Sequence, residues 1–396
     1  MNTGLFARII IAVAKRLLPK NYQGSLRIRL PDGQVVTMGE AGTGIDADLT
    51  FKNFNLVKAG LRRAHLGFFE SYMAGDINSS NPANFFKFYL QNRAQIDGAG
   101  KGIFFASWFD KFWHRKRHNN KQGSRENISA HYDLGNAFYA KWLDETMTYS
   151  SAIFDGKSNS LEAAQRLKYA RVLETIEAKP GDNILEIGSG WGGFAEEAGK
   201  AGALVRGITL STEQLAFAEA RMTRAKLLEH CTFHLEDYRD TRGLFDRIAS
   251  IEMIEAVGEA HWPTYFKVLF DRLKPGGVAA IQGITIRQDQ FEGYRNGVDF
   301  IQRYVFPGGM LLTKEIIADQ AQKAGLVLEK IECFGQSYAT TLKMWAERFE
   351  AAWPEIMPLG FDEKFRRTWG LYLAYCEAGF GEELIDVGIY KLRKPA

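Results

Sequence analysis

The sequence predicts an α/β protein whose larger part is a doubly wound, largely parallel sheet, preceded by a smaller α+β region. Three observations carry this. Asp182–Phe194 reads DNILEIGSGWGGF, with a short apolar strand at Asn183–Ile187, a glycine turn from Gly188 to Gly193, and a helix running to about Ala201. Strands and helices then alternate, with strands at Ala203–Leu210, Thr232–Leu235, Arg247–Met253 and, after Lys274-Pro275-Gly276-Gly277, Val278–Ile284. Two further apolar runs, Leu326–Phe334 and Ile385–Lys391, read as the last strands, with a helical region at Thr341–Cys376 between them. This alternation builds a parallel sheet covered on both faces, with ligands at the carboxyl ends of its strands.

The glycine turn has a physical reason, since a backbone that must turn tightly and approach a ligand tolerates no side chain there. A GxGxxG-like loop alone is a weak signal shared by several nucleotide-binding folds. A dinucleotide enzyme should carry an acid at the tip of the second strand to hold the ribose. That strand instead ends in Ser211-Thr212-Glu213-Gln214. Glu186 precedes the first glycine, which fits an adenosylmethionine site better than a nicotinamide one.

At 396 residues, with 46% hydrophobic and 13% aromatic content, the chain predicts two or three domains with a sizeable core. Cys231, Cys333 and Cys376 lie far apart without CxxC or Cys/His pairing, so neither a disulfide framework nor zinc is indicated, and no other metal site is expected. This suits a reducing, cytoplasmic compartment. No apolar run reaches the roughly 18–20 residues of a spanning helix. Gly4–Leu18 reads as a retained amphipathic helix rather than a secretory signal.

Net charge is +3 but unevenly divided. Residues 1–126 hold 19 Lys+Arg and 9 Asp+Glu, a net of +10, and the remainder holds 31 and 38, a net of −7. The first third therefore points at an anionic partner. Within it, Phe105, Trp108, Phe109 and Phe112 share a helical face followed by His114, Arg115, Lys116, Arg117 and Lys121. One reading is a core helix with a solvated basic tail. The other is an interfacial element, with aromatics at the headgroup boundary and cations on anionic lipid. Nothing matches a nucleic-acid-binding motif, so a phospholipid surface is the preferred partner and nucleic acid is not expected.

In chain order, Leu26–Val36 is a hairpin around Pro31-Asp32-Gly33, Phe51–Ile77 reads as helix, and 118–125 as a polar linker. Leu161–Ile176 is a helix that ends before Pro180-Gly181. Gln288–Pro307 is an insertion carrying Phe291, Tyr294, Phe300, Tyr304 and Phe306. These aromatics read as packing or as a greasy wall for an extended apolar substrate. Domain boundaries are drawn at 1–120, an accessory domain, and 121–396, the sheet domain with its insertion.

With these pieces in place, the chain resembles the cyclopropane-fatty-acyl-phospholipid synthase family, which includes the mycolic acid cyclopropane synthases. The matching segments are HYDLGNAFY (131–139), MTYSSAIF (147–154), LEIGSGWGGF (185–194), GITLSTEQ (207–214), EDYRD (236–240), IEMIEAVG (251–258), YVFPGG (304–309), SYATTL (337–342) and RFEAAWPEI (348–356). The resemblance implies a class I methyltransferase sheet and methyl transfer from S-adenosylmethionine to the cis double bond of an unsaturated phospholipid acyl chain. It implies cofactor contacts from Tyr149, Ser150, Glu186, Gly188 and Gly190. It further implies contacts from Thr209, Leu210, Ser211 and Gln214, and from Asp237 and Tyr238 beside the adenine. It leaves homodimer assembly open.

The same resemblance implies a carbocation on the substrate and a bound bicarbonate as base, held by a cysteine, a glutamate, a histidine and a tyrosine. Glu255 and Tyr338 match, but Ser151 stands where the cysteine is expected and Gln282 where the histidine is expected. Neither supplies a positive charge, so bicarbonate is less firmly expected and Glu255 becomes a candidate base. Proton loss from the new methyl closes a cyclopropane; loss from a neighbouring carbon leaves a methyl-branched chain. A relative that binds lipid without turnover is the rival outside enzymology. Taken singly, Glu255 also reads as a helix cap, and Tyr338, His131 and Tyr132 as packing residues. Cys376 aligns with a cysteine sometimes held catalytic, though a lone cysteine is usually a small core residue.

Overall fold

The structure is a computed structural model that describes residues 21–53, 55, 66–99, 134–157, 160–297 and 299–396. The helix expected at 4–18, the aromatic and basic segment at 103–117, the linker, the 120/121 boundary, and His131 and Tyr132 lie outside the described residues.

A small sheet opens the described chain: β1 (Ser25–Arg29), β2 (Val35–Gly39), β3 (Asp46–Phe51) and β4 (Ile77–Asn78), in the order β2-β1-β3-β4. β1 and β2 form the expected antiparallel hairpin across the turn at 30–34. The helix expected over Phe51–Ile77 is narrower, because both of its ends are strand. Phe51 pairs with Ile77 and Thr50 with Asn78, and the described helix covers 66–73. Short apolar runs do not distinguish strand from helix until a partner strand is known. Helices α1 (Pro82–Gln91) and α2 (Arg93–Ala99) follow.

Next come α3 (Asn136–Trp142), α4 (Leu161–Thr175), β5 (Asn183–Ile187), α5 (Gly193–Lys200), β6 (Leu204–Thr209), α6 (Thr212–Ala225), β7 (Cys231–Leu235) and β8 (Phe245–Ile251). They lead through α7 (Trp262–Arg272) to β9 (Leu273–Ile286), α8 (Gln288–Asn296), α9 (Phe300–Tyr304) and α10 (Lys314–Lys323). The chain closes with β10 (Val327–Cys333), α11 (Gly335–Ile356), α12 (Glu363–Gly381) and β11 (Ile385–Arg393). The seven-stranded sheet has the order β10-β11-β9-β8-β5-β6-β7. β5 to β9 run parallel, and β11 is antiparallel to both of its neighbours. The chain winds away from β5 in both directions, so the switch point lies between β5 and β8, where a crevice opens at their carboxyl ends.

The local sequence explains the key junction. β5 is apolar and buried after Asn183, and α5 starts at Gly193, where an added Cβ would stand 2.5 Å from the Tyr169 hydroxyl. Only glycine allows that approach of helix to helix.

The N-terminal part and the sheet domain share one core, in which Ile77 and Phe88 join Trp142, Trp345, Phe349 and Trp369. Lys87 pairs with Glu377 at 2.6 Å, and Arg367 donates to the Tyr72 carbonyl at 2.6 Å. The insertion's aromatics take part in this packing. Phe300 stacks on Phe69 with ring centroids 4.5 Å apart, Tyr304 donates to Glu70 at 2.6 Å, and Phe291 is buried in a second cluster beneath the sheet. Burying a side chain of this size contributes about 1.5–3 kcal/mol.

Candidate active site

A cavity lies at the carboxyl ends of β5, β6 and β8, where the topology places it. Of the residues expected at the cofactor, Tyr149, Ser150, Glu186, Gly188 and Gly190 line it from the α3–α4 loop and the glycine turn. Thr209, Leu210, Gln214 and Tyr238 line it from the neighbouring strand ends, together with Glu236, which the sequence reading passed over. Ser211 and Asp237 do not. The Ser211 hydroxyl caps α6 by accepting from Gln214 N, and the Asp237 carboxylate is taken by Arg239, with Nη2 at 2.6 Å and Nε at 2.8 Å.

Glycine is required at Gly188, where φ is +83° and an added Cβ would stand 3.1 Å from Met253. Beside it Glu186 is buried, and its Oε2 has no hydrogen-bond partner among the described residues. Burial raises its carboxyl well above the usual range, against the pull of Lys168 and then Arg221. Lys168 is itself fully buried and donates to Ser150 Oγ at 2.7 Å. Burial lowers its ammonium to about 7, opposed first by Glu252.

Three residues of the expected catalytic set, Ser151, Gln282 and Tyr338, converge, and they do so on a different glutamate. Glu252, one residue past β8, lines the cavity. Its Oε1 accepts from Ser151 N at 2.8 Å and from Gln282 Nε2 at 2.9 Å, and its Oε2 accepts from the Tyr338 hydroxyl at 2.7 Å. Burial raises its carboxyl, and the hydrogen bond from Tyr338 is the largest effect pulling the other way. The Tyr338 hydroxyl is held well above its ordinary range by burial and then by the Glu252 charge, so it stays a donor.

Glu255, three residues on, is half-buried, and its Oε1 accepts from Ile284 N at 2.6 Å. Burial and then the Glu252 charge push its carboxyl up to about 8. Cys376 is half-buried away from the cavity, and burial pushes its thiol far up, as in an inert cysteine. The sequence did hold one signal for Glu252, an acid just past the carboxyl end of a central parallel strand, where this fold binds ligands.

Buried aromatic rings pack behind Tyr149 and Tyr338. Tyr149 packs on Trp345 at 5.3 Å and shares a 2.9 Å hydrogen bond with the Tyr372 hydroxyl, while Tyr338 stacks on Phe380 at 4.3 Å. The cavity thus joins a glycine floor, an unpartnered carboxylate oxygen, a second fixed carboxylate and the ring of Tyr149. That donor set fits a hydroxylated ligand carrying positive charge, as S-adenosylmethionine is. Glu186, the glycine turn, Thr209, Gln214 and Tyr238 would hold it.

Residues 119–389 match the family described as mycolic acid cyclopropane synthetase. The chain belongs to that family. It is 36% identical to the tuberculostearic acid methyltransferase UfaA1 of Mycobacterium tuberculosis, over 97% of this chain and 91% of the relative. It is 34% identical to the cyclopropane-fatty-acyl-phospholipid synthase of Escherichia coli, over 87% of this chain and 88% of the relative. Among solved structures, it resembles the mycolic acid cyclopropane synthase CmaA1 complexed with SAH and CTAB. There the TM-score is 0.64 and the identity 27%, over 68% of this chain and 98% of that one. This family member is therefore an S-adenosylmethionine-dependent methyltransferase that modifies fatty acyl chains, and its doubly wound sheet is the class I methyltransferase sheet. Among the described residues, no helix is long and apolar enough to cross a membrane.

Proposed function

We propose that this enzyme methylates the cis double bond of an unsaturated acyl chain in a membrane phospholipid and closes the product to a cyclopropane. The observation that supports it best is the Glu252 carboxylate, which lines the cofactor cavity and is fixed there by the Tyr338 hydroxyl. When bound, S-adenosylmethionine supplies an electrophilic methyl group, the sulfur keeping the bonding pair. The alkene is a weak nucleophile, so the protein's task is to hold it dry and in line, which can remove several kcal/mol of barrier. The ring of Tyr149, which lines the cavity, offers an aromatic face of the kind that stabilises a cation by roughly 0.5–2 kcal/mol. A carboxylate at the same place then accepts a proton.

A second reading, proton loss from a chain carbon to leave a methyl-branched product, is favoured by two observations. The similarity to a tuberculostearic acid methyltransferase spans 97% of this chain, and Ser151 and Gln282 stand where the cyclopropane-forming pattern carries cysteine and histidine. The anionic membrane surface as partner, and a cytoplasmic location peripheral to it, rest on the +10 charge of residues 1–126.

The test is turnover on liposomes. S-adenosylhomocysteine release is expected with dioleoyl-phosphatidylglycerol vesicles and not with dipalmitoyl ones. Equal release on both would contradict an alkene acceptor.

A further inference from the structure

We infer that Glu252 is the proton acceptor of the reaction and that it takes the place of the bicarbonate expected at this site. The inference rests on the methyl-transfer reading above. Three donors converge on one carboxylate: Ser151 N at 2.8 Å, Gln282 Nε2 at 2.9 Å and the Tyr338 hydroxyl at 2.7 Å. Two of these side chains, with Ser151, are the positions assigned to holding a free bicarbonate. Here the donors are already used, by an oxyanion of the same trigonal shape attached to the chain. A bicarbonate would have to displace that carboxylate or stand beside it, where like charges repel in a buried site. The residues present do not fit the free ion.

The backbone is committed to this placement. Glu252 has φ +48°, a left-handed conformation uncommon outside glycine, and its N–H donates to the Gln282 carbonyl at 2.8 Å. Strain of this kind persists where the surroundings over-determine it, often at active sites. The competing candidate Glu255 does not line the cavity; its Oε1 accepts from Ile284 N, and its Oε2 is buried without a partner among the described residues. Its carboxyl, at about 8, also carries its proton at neutral pH.

The balance of the step is simple. After methyl transfer, a C–H bond of the new methyl group, which sits on the carbon adjacent to the cationic one, breaks. Its electron pair forms the bond from the methyl carbon to the cationic carbon that closes the ring. The proton goes to a Glu252 oxygen. The resulting neutral acid returns it to water after product leaves.

The test uses the full-length enzyme on dioleoyl-phosphatidylglycerol vesicles in carbon-dioxide-depleted buffer, with and without added sodium bicarbonate. Wild type is expected to turn over equally in both. E252Q, which keeps the shape but not the basicity, is expected to lose ~100-fold or more in turnover, the usual contribution of a positioned base, with S-adenosylmethionine affinity within ~3-fold. E252G suits the left-handed backbone, opens the position, and is expected to regain at least ~10-fold on adding millimolar bicarbonate. A wild-type enzyme that loses ~10-fold or more on carbon dioxide removal, or an E252Q enzyme within ~3-fold of wild type, would overturn the inference. No turnover by wild type in either buffer would instead contradict the methyl-transfer reading, and the inference would fall with it.

Discussion

The Lys168 ammonium donates to Ser150 Oγ over 2.7 Å in a fully buried position, and Glu252 is the largest charge that holds it protonated. The interaction is mutual, since Lys168 helps keep the Glu252 carboxyl from rising further. Removing the cation therefore raises the Glu252 carboxyl. In K168M the acidic limb of the kcat profile is expected to move to higher pH, with a several-fold loss of turnover at pH 7. An unmoved limb would show that Lys168 does not act on the base.

Glu255 makes stability fall as pH rises. Its carboxyl titrates near 8 in the folded chain against 4.5 as its ordinary value, so the folded state binds more protons than the unfolded one between those pH values. Stability from this group is complete below about 4.5 and is lost on the way to 8, by up to about 5 kcal/mol. Urea unfolding at pH 5 and pH 8 should show the loss in wild type and a smaller one in E255Q. Equal losses would place the cause elsewhere.

The unpartnered Oε2 of Glu186 awaits a donor from the ligand. A charge-assisted hydrogen bond is worth about 1.5–3 kcal/mol, so E186A should weaken S-adenosylmethionine binding by roughly 10- to 150-fold in calorimetry. Affinity within ~2-fold of wild type would remove Glu186 from the cofactor site.

At Gly188, alanine meets both a positive φ and the Met253 side chain at 3.1 Å. G188A is expected to lower stability by about 1–2 kcal/mol and to weaken cofactor binding, since the turn must shift. A thermal melt and a binding isotherm equal to wild type would contradict this.

The sheet could be read from the sequence because each strand is an apolar run bounded by glycine or polar turns, and β5 to β9 lie within a few residues of where those runs fall. The segment 51–77 could not, because its ends are strands only by virtue of pairing with each other. The site shows the same division. Tyr338 and Gln282 carry side-chain donors at the aligned positions and do converge, whereas Ser151 joins them only through its backbone N–H, its hydroxyl donating to the Ala152 carbonyl. Their target was missed because IEMIEAVG holds two glutamates three residues apart, and the motif alone favours Glu255. Only the fold brings Ser151 and Tyr338, 101 and 86 residues away along the chain, onto Glu252. Ser211 and Asp237 match their motif too, yet a helix cap and an Arg239 pair occupy them.

The most direct test of methyl transfer to an acyl chain is mass spectrometry of phospholipid fatty acids from a host making this protein and fed methyl-deuterated methionine. The account predicts an acyl chain carrying two deuteriums in a ring, because ring closure removes one methyl hydrogen. Three deuteriums on an open, branched chain would keep the methyl transfer and replace ring closure by the second reading. No deuterium in any acyl chain would contradict the central claim.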